Sequence, residues 1–337
     1  MKILFSSYHN PFFITITEYM ENAIEALDHE LFRFDDRHHI FPGRLRYRLK
    51  FFNDVDLKFI NKKFLSLALD IRPDMAIVAG GNRINAGTIK KLRANGITTV
   101  LWTTDAPIVF QPILDVAPFY DHIFCQGTEA VEILTNAGIK KVNWLPVACD
   151  QQLHQAINIP NEERAKFAKD VVFVGSFYQN RWEILKELGD FNIGIWGPGW
   201  RKIGKSPNNI RTIDDVKLNY EKWIKIYSGA KIIVVIHYND GATPCYQASP
   251  KVFEALACKK LILVDNQKDV FQLFGNKRHL VRFNDIKDLK EKIAYYLNNH
   301  SAREKIASEG YKEVIKKHTY LHRIKKLIEI ATASKTS

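Results

Sequence analysis

The sequence has few cysteines and no arrangement of them that is typical of a metal site. Its four cysteines, Cys125, Cys149, Cys245 and Cys258, show no CxxC or CxxxC spacing. A disulfide framework or a cysteine zinc site is therefore not expected, and a reducing cytoplasm is the compartment that fits. The first residues, MKILFSSYHNP, carry an apolar run too short for a signal peptide.

Long hydrophobic runs are also missing, and no segment approaches the ~20 apolar residues that a transmembrane helix needs. We therefore expect a soluble cytoplasmic protein. Lys plus Arg (49) exceed Asp plus Glu (37), which gives a formal net charge of +12. Such an excess attracts an anionic partner, but it does not choose among phosphates, nucleic acid and a membrane surface.

What the sequence does contain is a regular alternation of strand and helix patterns in both halves. Strand-like apolar runs include KILFS (2–6), MAIVAGG (75–81), VVFVGS (171–176), KIIVVIH (231–237) and LILVD (261–265). Helical periodicity between them predicts two parallel, doubly wound sheets. We predict domains at 1–157 and 168–317, joined through the charged segment 158–170. The segment 318–337 is predicted to be a C-terminal helix and tail, for which packing against the first domain is one option.

Glycines end two of the second-half strands. Gly175 ends VVFVG, Ser176 follows it and Arg181 lies in the next helix, so backbone N–H groups there can bind an anion. The segment IWGPGW contains Gly197 but lacks the GxGxxG order of a dinucleotide fingerprint. For both segments an ordinary turn is the alternative interpretation.

The segment SPKVFEALACKKLILVD (249–265) predicts a short helix followed by a buried strand. Ser249 is expected to cap the helix and Pro250 suits its first position. Lys251 and Glu254 fall on the face opposite the apolar residues. They form either a solvated salt bridge or part of a ligand site, where Glu254 binds ribose hydroxyls and Lys251 binds phosphate.

Three further residues are candidates for proton transfer or substrate contact. Asp105 ends the segment ITTVLWTTD and precedes Ala106-Pro107, and it is a candidate general base. His9, just after the first strand, is the rival base. His237 ends KIIVVIH and is expected to face a bound ligand at that end of the strand. A turn-forming aspartate and structural histidines are the alternatives.

The segment RLRYRLKFF (44–52) places basic residues beside aromatic ones. Read as a helix, it turns Leu45, Leu49 and Phe52 inward and Arg44, Arg48 and Lys50 outward. Its basic face is a solvated surface, a contact for an anionic membrane or acceptor, or, least expected, a nucleic-acid contact.

Several segments together resemble one known family, the CgeB-like glycosyltransferases. In the second half these are VFVGSFYQNRWEIL, IWGPGW, YSGAKIIVVIH and SPKVFEALACKKLILVD. In the first half VLWTTDAP, YDHIF and WLPVACD are similar to the W-x-x-D-D-P, Y-D and L-P-x-A-x-D segments of that family. The resemblance spans nearly the whole chain and is most specific at 249–258.

The resemblance implies a GT-B fold, in which two Rossmann-like domains face each other across a cleft. It also implies transfer of a sugar from a nucleotide-sugar donor to a hydroxyl of a protein, a cell-surface glycan or a glycolipid. Glu254 would bind the donor ribose, and Ser249 and Lys251 would lie near the diphosphate. Gly175 and Ser176 would form the glycine loop, and Arg181 matches a basic position of the family. No cofactor is expected beyond the donor, and the lack of a His/Cys cluster predicts metal independence.

Three positions depart from the family pattern. Lys251 replaces arginine, so its contact with phosphate would be a point charge rather than a bidentate fork. Lys259 replaces glycine after the helix, which removes a favourable helix end. The segment TTDAP has a single aspartate where the family often has two, so a role for the pair is in doubt. Two alternative functions stay open: a non-catalytic protein that binds nucleotides or polyanions, and a nucleotide-sugar epimerase of similar fold.

Overall fold

The computed structural model describes residues 1–333 apart from 82, 105–109, 205, 207–208 and 216–218. The chain divides into two compact units. Unit 1 consists of Met1–Pro146 together with the chain from Leu321 onward, and unit 2 consists of Val147–Tyr320. Within the described residues, no helix is both long and apolar enough to cross a membrane.

Unit 1 is built on a six-stranded parallel sheet with the order β2-β1-β3-β4-β5-β6. Its strands are β1 (Lys2–Ser7), β2 (Glu30–Asp35), β3 (Met75–Ala79), β4 (Thr98–Thr103), β5 (His122–Cys125) and β6 (Val142–Trp144). The central strands are nearly continuous apolar runs, as expected for a parallel sheet that is covered on both faces. Trp102 of β4 is fully buried, and its Nε1 donates to Leu145 O at 3.0 Å.

Helices surround this sheet: α1 (Ile16–Glu25), α2 (Gly43–Arg48), α3 (Lys50–Ile71), α4 (Ala86–Ala94), α5 (Gln111–Val116) and α6 (Thr128–Asn136). A 3₁₀ turn follows at Ala117–Phe119. The start of α1 is fixed by a capping box, because the Thr15 hydroxyl accepts from the backbone of Thr17 while the Glu18 side chain bonds back to the Thr15 N–H.

Unit 2 repeats this architecture with the strand order β12-β11-β10-β7-β8-β9. All neighbours are again parallel. Its strands are β7 (Lys169–Val174), β8 (Ile193–Gly197), β9 (Ile210–Asp214), β10 (Ala230–Val235), β11 (Leu261–Val264) and β12 (Val281–Arg282).

The helices of unit 2 are α7 (Asn161–Phe167), α8 (Gln179–Leu185), α9 (Tyr220–Gly229), α10 (Pro250–Ala257), α11 (Lys268–Leu273), α12 (Ile286–Asn298) and α13 (His300–Lys317). Short 3₁₀ turns lie at Lys186–Leu188 and Trp200–Ile203. The final helix, α14 (Tyr320–Ala333), groups with unit 1 from Leu321 onward. There Arg323 Nε donates to Pro146 O at 2.7 Å.

The predicted pair of doubly wound parallel sheets is confirmed, although two strands were not predicted. Both of these, β2 and β9, lie at a sheet edge, where charged and half-exposed residues interrupt the apolar pattern. The segment 158–170 was predicted as a connection, and it contains the short helix α7.

The inward packing predicted for the 44–52 segment is wrong for two of its three apolar residues. Leu45 is 41% exposed and Leu49 is 54% exposed, whereas Phe52 is half-buried. The predicted outward face is correct, because Arg44, Arg48 and Lys50 are exposed. The break between α2 and α3 at Leu49, where the backbone is extended, explains the difference, since it interrupts the single helical periodicity on which the prediction depended.

Candidate active site

The polar residues predicted to bind the donor gather at the C-terminal ends of the strands of unit 2. Strands β7 and β10 are neighbours although β8 and β9 come between them in the sequence. Gly175 and Ser176 follow β7, and His237 follows β10. In open α/β sheets this change in strand order opens a crevice at the C-terminal ends, and ligands bind there.

Arg181 in α8 connects the two sides of this crevice. Its Nε donates to Ile236 O at 3.0 Å, and its Nη1 donates to Ser176 O at 3.0 Å. The guanidinium also lies 4.7 Å from the ring centre of Tyr178. Burial lowers the pKa of Arg181, but the group stays charged because its ordinary pKa is far above neutrality. Arg181 therefore holds the loop after β7 in place, and its direct contact with a donor stays a prediction.

Gly197 ends β8 and packs against the backbone of Gly175. A Cβ at position 197 would lie 2.1 Å from Gly175 O, and the φ angle of Gly197 is +144°. The same carbonyl accepts a hydrogen bond from Trp200 Nε1 at 2.8 Å. Glycine is required here by both contact and conformation. Gly197 thus positions the predicted glycine loop, and its contact with a donor stays a prediction.

Both ring nitrogens of His237 have partners inside the protein. Its Nδ1 lies 2.6 Å from Asp265 Oδ1, and the backbone N–H of Ser249 donates to its Nε2 at 3.0 Å. Because Nε2 accepts a hydrogen bond, the ring carries its proton on Nδ1 and donates it to Asp265. His237, only 5% exposed, therefore ties the end of β10 to the end of β11 and to the start of α10. The donor contact of His237 stays a prediction. The hydrogen bonds of its ring hold the ends of β10 and β11 and the start of α10 in position.

Helix α10 carries the remaining residues that were predicted to bind the donor. Ser249 is its N-cap residue, but the prediction that the Ser249 side chain caps the helix is wrong, because that side chain makes no capping bond. Pro250 has no N–H and the Val252 N–H bonds to Ser249 O at 3.0 Å, so in the first turn the Lys251 N–H remains available to an anion, which the positive end of a helix attracts. Lys251 lies in this turn and is half-buried, and burial lowers the pKa of its ammonium group.

Glu254 follows Lys251 by one turn and is only 8% exposed. The interpretation of this face as a solvated salt bridge does not hold, because Glu254 and Cys258 are both buried. Among the residues that the structure describes, none forms a salt bridge with the Glu254 carboxylate or donates a hydrogen bond to it, although the Lys251 ammonium interacts with it over a longer distance. Burying a carboxylate without a bonded partner costs folding free energy, and Glu254 is such a carboxylate.

Two cavities open at the same ends of the strands. The larger, about 710 Å³, lies between α8, the end of β10 and the start of α12, with Ile184, Ile236 and Phe283 among its apolar residues. The second, about 620 Å³, lies under the loop that follows His237. Both are bordered by His237 and Asp265, so the bonded His237–Asp265 pair forms a wall between them.

The end of α10 has the conformation expected of a glycine, although the residue there is lysine. Lys259 has a φ of +53°. Its N–H bonds to Leu256 O at 2.9 Å and the Lys260 N–H bonds to Ala255 O at 3.3 Å, which is the Schellman arrangement. The C-cap that was predicted to be lost is therefore present, but Lys259 adopts a strained backbone conformation in it.

In unit 1 the corresponding change in strand order lies between β1 and β3, and His9 follows β1. His9 Nε2 lies 2.7 Å from Glu21 Oε1, and Glu21 is 4% exposed. Hydrogen bonding to Glu21 raises the pKa of His9. The carboxylate accepts, so Nε2 carries a proton, while the buried Nδ1 has no partner among the described residues. The other predicted base, Asp105, lies outside the described residues.

Comparison with known proteins agrees with this architecture. Residues 180–329 match the family described as "Glycosyl transferase-like". Over 266 residues, which is 74% of this chain and 80% of the other protein, the sequence is 23% identical to the spore protein CgeB of Bacillus subtilis. The resemblance to CgeB-like glycosyltransferases is thereby confirmed.

Solved structures confirm the GT-B fold. Sucrose-phosphate synthase from Thermosynechococcus elongatus superposes with a TM-score of 0.72 at 11% identity, with 99% of each chain covered. HepE from Anabaena, solved in complex with UDP-glucose, superposes with a TM-score of 0.69 at 10% identity, covering 99% of this chain and 100% of HepE.

The fold and the matched region together indicate the class of protein. The chain has the GT-B fold, its residues 180–329 match a glycosyl transferase-like family, and its sequence is similar to the spore protein CgeB.

Two residues of the site were missed from the sequence. Asp265 ends the quoted strand LILVD, and an acidic residue at the end of a parallel strand is a signal that would have found it. Glu21 lies in an amphipathic helix and gave no such signal. Its burial became apparent only from the position of α1 beside β1 and β2.

Proposed function

We propose that the protein transfers a sugar from a nucleotide-sugar donor to a hydroxyl-bearing acceptor. The observation that carries the proposal is the Glu254 carboxylate, which is buried in α10 and has no bonding partner among the described residues. Two neighbouring ribose hydroxyls can donate to the two oxygens of one carboxylate. Bonds of that kind would offset the cost of burying the charge.

The first turn of α10 supplies what the donor diphosphate requires. No side chain caps this end of the helix, so the Lys251 N–H is open to an anion, and the Lys251 ammonium group belongs to the same turn. During transfer the bond between the sugar and the diphosphate breaks, and the leaving diphosphate takes the electron pair. Positive groups that are already in place stabilise that developing charge. The bonds of His237 and Arg181 keep the helix start and the glycine loop in position for this step.

We propose that the base that takes the proton from the acceptor hydroxyl is His9 or Asp105. The acceptor oxygen forms the new bond to the sugar and loses its proton to the base. His9 suits this role because Glu21 fixes the ring and holds the proton of the neutral form on Nε2, which leaves Nδ1 as the basic nitrogen. Candidate acceptors are proteins, cell-surface glycans and glycolipids.

We further propose that transfer does not depend on a metal ion. The segment Asp54-Val55-Asp56 has an Asp-x-Asp spacing, but it lies within α3, and Asp56 accepts bonds from the backbone of Ile40 and Phe41. Within the described ranges, no group of three His, Cys, Asp or Glu side chains is placed to hold a metal ion. No cofactor besides the donor is proposed.

The crystal structure of HepE with UDP-glucose supports UDP-glucose as the first donor to test. The experiment incubates the protein with nucleotide sugars, with and without EDTA, and measures the release of nucleoside diphosphate. A glycosyltransferase releases the diphosphate, an epimerase changes the sugar without release, and a protein that only binds the nucleotide does neither. Absence of release with every donor would overturn the proposal.

We also propose that the protein acts at an anionic membrane surface. The surface formed by residues 40–51 exposes four large apolar side chains: Ile40 (48%), Leu45 (41%), Leu49 (54%) and Phe51 (69%). Arg44, Arg48 and Lys50 are exposed beside them. Apolar side chains flanked by basic ones favour the interface of a bilayer with anionic headgroups. This arrangement favours a membrane over nucleic acid, since no nucleic-acid motif accompanies the charge.

A further inference from the structure

Three buried carboxylates lie near the ends of β1 and β2 in unit 1, and two of them have hydrogen-bond or ion-pair partners in the protein. Glu21 bonds to His9 at 2.7 Å and to Arg33 at 3.0 Å. Asp56, which is fully buried, accepts the backbone N–H of Ile40 at 2.8 Å and also faces the side chains of His39 and Arg46. Both carboxylates are therefore explained by the fold.

Asp36 is the third, and the fold does not explain it. It follows β2 directly, and its backbone N–H bonds to Ser7 O at 3.2 Å, which places it at the C-terminal edge of the sheet beside β1. The residue is 4% exposed. Among the described residues, none donates a hydrogen bond to its carboxylate or forms a salt bridge with it. Its environment is charged, and the facing groups are Arg83, Arg37, Asp35 and His9, together with the buried Tyr120 hydroxyl, which has no hydrogen-bond partner among the described residues.

These neighbours are themselves held in place. Arg83 donates to His39 Nε2 at 2.8 Å, and the Arg37 guanidinium lies 4.4 Å from the ring centre of Tyr8. The site is therefore ordered around a carboxylate that has no partner of its own. Burial raises the pKa of Asp36 to about 6, against the opposing effect of the two arginines, so the group is ionised at neutral pH.

We propose that Asp36 binds a hydroxyl group of the acceptor, a polyol or sugar. This inference rests on the proposed sugar transfer and assigns the acceptor side of it to unit 1. A hydroxyl donor satisfies the buried carboxylate, whereas a diphosphate would be repelled by it. The neighbouring His9 places a proton-accepting nitrogen beside the same strand ends.

The first test is the stability of Asp36→Asn measured against pH. The folded state raises the pKa of Asp36 above its ordinary 3.8, so the wild-type fold loses stability as the pH rises from about 4 to about 6. Asparagine has no charge to bury, so we expect the variant to melt about 2–4 °C higher than wild type at pH 7 and equally at pH 4. Asp56→Asn, which changes a carboxylate that accepts a backbone hydrogen bond and faces His39 and Arg46, is expected to melt lower. A lower melting temperature for Asp36→Asn as well would overturn the proposal.

The second test measures UDP release from UDP-glucose with glycerol as a soluble polyol acceptor. We expect Asp36→Asn to lose at least about tenfold of the glycerol-dependent rate, which corresponds to loss of a charged hydrogen bond. Asp35→Asn, the matched change one residue earlier, is expected to keep the rate. An unchanged rate in Asp36→Asn would contradict the inference. Failure of UDP to bind wild-type protein would instead contradict the donor proposal and leave the stability result unaffected.

Discussion

His237 and Asp265 are bonded twice, through the ring Nδ1 at 2.6 Å and through the backbone N–H of His237 at 2.7 Å. The two contacts join the C-terminal ends of neighbouring strands β10 and β11. The third bond of this group, from Ser249 N–H to Nε2, extends the connection to the start of α10. The position of the proposed phosphate site therefore depends on a carboxylate that need not touch the donor.

Replacing Asp265 with alanine should loosen the start of α10. The His237 ring and its N–H would lose their acceptor, which should cost about 1–3 kcal/mol of unfolding free energy. The KM for the nucleotide sugar should rise more than kcat falls, since the helix start contributes to binding. Urea unfolding and steady-state kinetics measure the two effects. An unchanged KM in a destabilised variant would limit Asp265 to a role in folding.

Lys259→Gly should stabilise the protein. A lysine at φ +53° is conformationally strained, whereas a glycine is not. Because glycine also has more entropy in the unfolded chain, the expected net gain in unfolding free energy is about 0.5–1 kcal/mol. Lys259→Ala is the matched control, because it removes the side chain but keeps the penalty. Thermal unfolding of the three proteins measures the difference. Equal gains in both variants would attribute the effect to the lysine side chain rather than to the backbone.

Glu21→Gln should change the pH dependence of transfer. The Glu21 carboxylate raises the pKa of His9 above its ordinary 6.5, and a base must be unprotonated to act. Activity of the wild type should therefore rise with pH above 6.5, and in the variant this rise should move to lower pH.

Stability provides an independent check on the same pair. A raised His9 pKa stabilises the fold fully below pH 6.5, and this contribution is lost as the pH rises through the pKa of the folded state. The wild type should exceed Glu21→Gln in stability by more at pH 6 than at pH 8. Identical pH–rate profiles for the two proteins would move the base role to Asp105.

Changing Arg44, Arg48 and Lys50 together to glutamine should weaken binding to mixed phosphatidylglycerol and phosphatidylcholine vesicles. At about 1 kcal/mol for each basic residue near an anionic surface, the expected loss is about 100-fold. Phe51→Ser should also weaken binding, because it removes an apolar side chain that is 69% exposed.

The matched control for this surface changes Lys305, Lys312 and Lys316 of α13, which removes the same charge elsewhere. Vesicle sedimentation should show little change for it. Equal losses in both triple variants would indicate that net charge alone, rather than the 40–51 surface, attracts the protein.

The central strands were predictable because parallel strands covered on both faces are continuous apolar runs, as in VVFVG and LILVD. The edge strand β2, ELFRFD, was not, because alternate charged residues are tolerated where one side of a strand is open. Asp36 was missed for the same reason. Because β2 was not predicted, the residue that follows its C-terminal end was not considered as a site residue.

Within the site, the sequence indicated which residues meet but not how they bond. Arg181 and His237 were predicted to contact the donor, and the structure shows both bonded to backbone or to Asp265. Such bonds depend on the relative positions of segments about 30 to 60 residues apart, which local periodicity does not contain. Glu254 was predictable because its place in a short apolar helix is unusual for a carboxylate.

The binding of UDP by Glu254→Gln, compared with wild type by isothermal titration calorimetry, tests the central claim most directly. Loss of the charged acceptor for the ribose hydroxyls should weaken UDP binding by at least about tenfold, in line with the value of a hydrogen bond to a charged group. The variant should stay folded, because no described residue depends on that carboxylate for a bond. UDP affinity equal to that of wild type would contradict the account.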